Sequence, residues 1–96
     1  MTLAQLMREQ RDAILRICAE HGARNVRIFG SFARDEAEEQ SDLDLLVDLD
    51  PGRSAFDQVD LKLALEDLLG RNVDVVTESG IYWLLRRRIL KEARAL

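Results

Sequence analysis

Leu3, Leu6, Met7, Ile14, Ile17 and Cys18 fall on one face of a helix with 3.6 residues per turn and predict a helix over 3–21. Thr2 followed by Gln5 reads as its capping box, and Gly22 as its stop, where a left-handed residue is needed. On this pattern Cys18 is a core residue and His21 a helix-end residue facing the dipole. Residues 26–29 are short and β-prone and predict a strand. Gly30-Ser31 then turns the chain into a short helix over 32–38. From 42 to 49 the pattern changes to strict alternation. Leu43, Leu45, Val47 and Leu49 share one face, and Asp42, Asp44, Leu46, Asp48 and Asp50 the other, with the leucine face expected to pack against helices. Asp50-Pro51-Gly52 closes this strand. Ser54 with Asp57 reads as a second capping box, opening a helix that ends near Gly70 and carries a broad apolar face of Phe56, Val59, Leu61, Leu63, Leu65 and Leu68. Residues 73–77 predict a third strand. A last helix follows Gly80, striped by Ile81, Leu85, Ile89, Ala93 and Leu96.

The order is therefore α-β-α-β-α-β-α, an α/β chain with a small sheet covered on one face by helices. The connection through the long helix favours a parallel pairing of the strands it joins; the short connection serves either direction. With 96 residues, one domain and one core are expected, over 1–96. At 47% hydrophobic and 33% charged residues the chain is globular rather than disordered. No run is apolar enough for a membrane span or a signal peptide, and the single cysteine cannot form an internal disulfide, so a cytoplasmic setting is expected. The net charge of −4 argues against direct binding to nucleic acid. Arg86-Arg87-Arg88, read as lying near a helix end, fits a solvated face that complements the helix dipole; a partner contact is the other reading.

The acidic face of the second strand carries the candidate chemistry. Asp42 and Asp44 stand two residues apart on one side. Two ionised carboxylates so placed repel each other, and a hard divalent cation such as Mg²⁺ converts that repulsion into binding. Taken alone, the alternation also fits an ordinary solvated sheet face. Two further features bear on the choice. Gly30-Ser31 sits between a strand and a helix start, where free backbone N–H groups can cradle a phosphate. Asp74 lies inside Val73-Asp74-Val75-Val76, where strand propensity disfavours it. If that strand neighbours the Asp42/Asp44 strand, all three carboxylates can meet on the open face.

Together, Gly30-Ser31-Phe32-Ala33-Arg34, Ser41-Asp42-Leu43-Asp44-Leu45 and Asp74 in an apolar strand resemble the DNA polymerase β-type nucleotidyltransferase superfamily, most closely its minimal (MNT-domain) antitoxins. The resemblance implies a mixed sheet with helices on one side and a two-metal active site. It implies that Asp42 and Asp44 ligate both Mg²⁺ ions, and that Asp74 ligates the second and helps deprotonate the acceptor hydroxyl. It implies that Gly30 and Ser31 hold the β- and γ-phosphates of ATP, and that Arg34, the family's usual basic residue in this turn, reaches the triphosphate; an exposed helix-start arginine is the other reading of Arg34.

The family commonly has glycine after the arginine; here Asp35 stands there, followed by Glu36, and both are expected at a helix start close to a bound triphosphate. Larger relatives append a helical domain that grips the second substrate, and the absence of such a segment suggests a protein acceptor in a stable complex. By resemblance the partner is a HEPN-type ribonuclease toxin, modified with AMP on a tyrosine. Two other functions stay open: an antitoxin that neutralises its toxin by binding alone, and a nucleotidyltransferase for a small molecule.

Overall fold

The computed structural model describes residues 2–96. The first helical stretch is two helices rather than one, α1 over Leu3–Glu9 and α2 over Arg11–Glu20. The break falls at Gln10, with φ −122° and ψ −9°. Between Met7 and Ile14 the apolar face predicted for one long helix would carry Gln10 and Arg11. A straight helix would press both against the core without partners, so the chain turns there instead. Thr2 and Gln5 form the predicted capping box. His21 ends α2, its Nδ1 2.8 Å from the carbonyl oxygen of Ile17. Cys18 is fully buried, and burial pushes its thiol up to about 11, which keeps it an unreactive core group.

The remaining elements are β1 (Ala23–Phe29), α3 (Gly30–Ala33), β2 (Leu43–Leu49), α4 (Ala55–Leu69), β3 (Val73–Val76), a 3₁₀ turn (Glu78–Gly80), α5 (Trp83–Glu92) and β4 (Arg94–Ala95). They build a mixed four-stranded sheet of order β3-β2-β1-β4. β2 runs parallel to β3, across the long helix as expected, and antiparallel to β1 across the short connection. α2 packs on β1, α4 on β3, and the two helices meet each other over the same face. Ser54 caps α4 with the predicted box, and Gly70 ends it at φ +64°. Among the described residues no helix is long and apolar enough to cross a membrane.

Four further expectations about the fold need correction. The short helix after Gly30-Ser31 does not reach 38; α3 is a single turn, and Asp35 beyond it adopts φ +58°, a left-handed conformation that suits glycine and that aspartate tolerates. The broad apolar face of α4 is divided: Leu61 and Leu65 are buried, while Phe56, Val59 and Leu63 are exposed. The last helix stops at Glu92, because Arg94–Ala95 adds a fourth strand to the β1 edge and Leu96 is buried behind it, its N–H donating to the carbonyl of Val26. Finally, the acidic face of β2 is not wholly open. Leu46 is fully buried, in register between Arg27 of β1 and Val76 of β3.

Leu43, Leu45 and Val47 are all fully buried in one cluster with Leu6, Ile14, Cys18, Phe32, Leu61 and Leu65. Leu45→Ala removes a side chain from the centre of the sheet, where helices on one side and strands on both flanks resist collapse. A loss of about 2–5 kcal/mol is expected, read as a lowered midpoint in urea unfolding with unchanged slope.

Candidate active site

The site forms where β1 ends and β2 begins, because antiparallel pairing puts those two ends side by side. Phe29 of β1 is in register with Asp44 of β2. Gly30 follows at once, with φ +73°. A Cβ added there would land on the Asp44 carboxylate, so the turn needs glycine both for its conformation and for the approach of Asp44. Parallel pairing brings β3 to the other flank and puts Asp74 in register with Asp44.

A cleft of about 350 Å³ opens between this turn and α5. Gly30, Ser31, Arg34, Asp42 and Asp44 line it on the sheet side, and Leu85, Arg88, Ile89 and Glu92 on the α5 side. Five of the six site residues named from the sequence thus share one cleft. Asp74 is exposed on the edge strand, outside that lining but alongside Asp44. Among the described residues no three acidic, histidine or cysteine side chains are gathered closely enough to hold an ion between them as they stand.

Asp44 is the electrostatic centre of the site. It is half-buried, and its carboxyl is pushed up to about 6. Desolvation is the largest cause, followed by repulsion from Asp74 and then Asp42, with a smaller contribution from Glu92; the Arg34 guanidinium opposes them. A carboxylate so penalised, with hard oxygen donors on either side, fits a divalent cation by the chemistry of its donors.

The consequence for stability has a definite sign. Below about pH 4 Asp44 is protonated both folded and unfolded, and its neighbours cost nothing. As pH rises from about 4 to 6 the unfolded chain gives up its Asp44 proton while the folded protein still holds it, so stability falls over that window and levels off above 6, where both states carry the anion. Asp44→Asn is therefore expected to match wild type near pH 4 and to exceed it at pH 7.5, by on the order of 1–2 kcal/mol, since retained solvent contact discounts the full shift. Thermal unfolding of both proteins in EDTA at the two pH values measures the difference. A destabilised Asn variant would mean that Asp44 is structural.

Arg34 ends α3 and is held by two carboxylates. Its Nε donates to Glu36 at 3.1 Å, and its Nη1 donates to both oxygens of Glu92 at 3.1 and 3.2 Å. Asp35 does not crowd the cleft, contrary to the sequence expectation. It lies past the end of α3 and lines a separate shallow surface with Thr2, Leu3, Ala4, Met7 and Arg94. Its left-handed backbone turns it away, and the charge of Glu36 is spent on Arg34.

Glu92 is a site residue that the sequence reading does not single out, and Arg88 enters that reading only within the arginine triplet, not as a lining of the cleft. Leu85, Arg88, Ile89 and Glu92 follow the i, i+3, i+4, i+7 spacing of one helix face, so two charges interrupting an apolar stripe were the available signal. The arginine triplet lies in the middle of α5 rather than near its end. Arg86 donates to the carbonyl of Glu78 at 2.8 Å, and Arg88 faces the cleft.

Residues 11–96 match the nucleotidyltransferase domain family. A candidate protein adenylyltransferase of Methanocaldococcus jannaschii is 47% identical over 85 residues, covering 88% of this chain and 91% of its own. The protein adenylyltransferase MntA of Thermococcus cleftensis is 35% identical over 95 residues, covering 94% and 96%. A solved structure described as a candidate minimal nucleotidyltransferase superposes with a TM-score of 0.85 at 54% identity, over 100% of this chain and 97% of that one. Two toxin–antitoxin structures share the fold: one with AMP-PNP (TM-score 0.77, 17% identity, 90% of this chain and 71% of that one) and one of a tri-AMPylated Shewanella oneidensis HEPN toxin with its MNT antitoxin (0.66, 16%, 88% and 66%).

Proposed function

The chain belongs to the nucleotidyltransferase domain family, and from that premise we propose that it is a protein adenylyltransferase and an antitoxin. Its residues 1–96 would act as a single minimal domain, transferring AMP from ATP to a tyrosine hydroxyl of a HEPN-type ribonuclease toxin bound in a stable complex. The observation that carries the proposal is the cleft that joins the Gly30-Ser31 turn to Asp42 and Asp44. The adenylyltransferase relatives and the AMP-PNP and HEPN complexes of the same fold support the choice of chemistry and partner.

In the proposed reaction the tyrosine oxygen attacks the α-phosphorus in line. The new P–O bond forms as the bond from the α-phosphorus to the β-bridging oxygen breaks, and pyrophosphate leaves. Gly30 and Ser31 hold the β- and γ-phosphates through backbone N–H groups and the Ser31 hydroxyl, with Arg34 beside them. Asp74 takes the proton of the acceptor hydroxyl. Two Mg²⁺ ions, held by Asp42 and Asp44 with Asp74 on the second, would supply neutralisation of charge at the entering and leaving oxygens. Chemistry of this kind is mainly positioning and charge balance, so a small domain can carry it.

Mixed with ATP, Mg²⁺ and its toxin, the chain is expected to add the mass of one or more AMP groups to that toxin, read by intact-mass spectrometry. One observation favours a second reading, neutralisation by binding alone: Glu92 engages both the Gly30 N–H and Arg34. Full inhibition of the toxin with no gain in mass would establish that alternative.

A further inference from the structure

Glu92 sits where an anionic ligand of this cleft would sit. Its Oε1 accepts the Gly30 N–H at 2.9 Å, and both its oxygens accept from Arg34 Nη1. Its side chain is only 16% exposed, although it stands on a helix with no fully buried residue. The Glu92 carboxylate thus occupies donors on which the proposed phosphate contacts depend. We propose that Glu92 is a latch, an internal carboxylate that holds the phosphate seat of Gly30 and Arg34 until a polyphosphate displaces it and frees α5. The proposal rests on the nucleotide-binding reading of the same cleft and adds its regulation.

The way α5 is attached suits such an exchange. In its N-terminal half Arg86 donates to the carbonyl of Glu78 on the surface. Of its apolar residues Trp83, Leu84 and Leu85 are exposed, Ile89 and Leu90 are half-buried and none is fully buried, so little buried surface is lost if it moves. Beyond Glu92 the backbone turns extended at Ala93 (φ −61°, ψ 135°), and β4 with buried Leu96 pins the chain to β1. Ala93 is therefore the pivot, and the Glu92 contacts are the polar tie between α5 and the turn. A ligand with a single weak charge exchanges poorly against a carboxylate already in place, whereas the γ- and β-phosphates bring several charges at once. While Glu92 is seated, the competent fraction of the protein is reduced, and apparent affinity falls by that fraction.

Glu92→Gln keeps the shape and removes the charge that Arg34 holds. It is expected to bind inorganic tripolyphosphate in Mg²⁺ about ten-fold more tightly than wild type by titration calorimetry, the order expected when a charge-assisted hydrogen bond no longer competes. Adenosine, which has no phosphate, should bind both proteins equally. Trp83, the single tryptophan and a residue of α5, should change its fluorescence on tripolyphosphate addition in wild type. If Glu92→Gln fails to fold, Glu92→Ala, which removes the carboxylate altogether, is read the same way. Equal or weaker tripolyphosphate binding by the variant overturns the latch even if AMP transfer is found. Tighter binding without any AMP transfer upholds the latch and overturns the transferase alone. No binding to either protein overturns both.

Discussion

Asp42→Asn combined with Asp44→Asn is expected to reduce the proposed AMP transfer by at least about a thousand-fold while leaving a folded protein. The two carboxylates supply the charge that would hold Mg²⁺ against the triphosphate, and amides are poor ligands for so hard an ion. Each step of positioning then loses its anchor, and misplacement of the α-phosphorus by about 1 Å costs on the order of a hundred-fold by itself. Folding is spared because neither side chain belongs to the hydrophobic cluster, and Asp44 is disfavoured as an anion where it stands. The double variant should unfold at or above the wild-type temperature in EDTA, and intact-mass spectrometry of the toxin should show no adduct. Transfer within ten-fold of wild type would mean that these carboxylates are not the site.

Gly30→Ala should inactivate the protein for a different reason. At φ +73° any side chain costs roughly 1–2 kcal/mol. The new methyl would also fall on the Asp44 carboxylate, with the Asp44 Cγ and Cβ only 3.0 and 3.3 Å away, so rotation of the carboxylate alone does not clear it. Asp44 must leave the cleft or the turn must open, and either one separates the phosphate seat from the acidic pair. A destabilisation of about 1–3 kcal/mol by urea unfolding is expected, together with a loss of AMP transfer of at least about a hundred-fold. The comparison that matters is with Gly70→Ala. That glycine has a similar φ of +64° but open space around it, so it should share the strain and keep the activity. Equal activity loss in the two variants would show that backbone strain alone, and not the Asp44 contact, is responsible.

The sequence by itself determined the features that depend on neighbours within a few residues. The alternation of 42–49 names both the core face and the acidic face of β2, because side chains in a strand must point to opposite sides. Thr2 with Gln5 and Ser54 with Asp57 mark helix starts, because capping is a bond between residues three apart. The turn and the Ser-Asp-x-Asp strand were also legible, as residues that resemble a family and fall at a strand end and on one strand face. What only the tertiary structure decided depends on residues distant in the chain. Whether 94–96 continues a helix or joins a sheet is settled by the free edge of β1, which offers partners that no local pattern records. Gln10 breaks a helix because the core lies beneath it, not because its own propensity is poor. The division of the α4 apolar face, and the burial of Leu46 on the acidic side, follow from which surfaces are covered. Asp74 reaches Asp44 through a parallel register set by a long crossover. Glu92 lies on Gly30 and Arg34 because β4 returns the chain to β1, and only that return brings a carboxylate from the end of the chain, sixty-two residues beyond Gly30, onto the turn where a phosphate would bind.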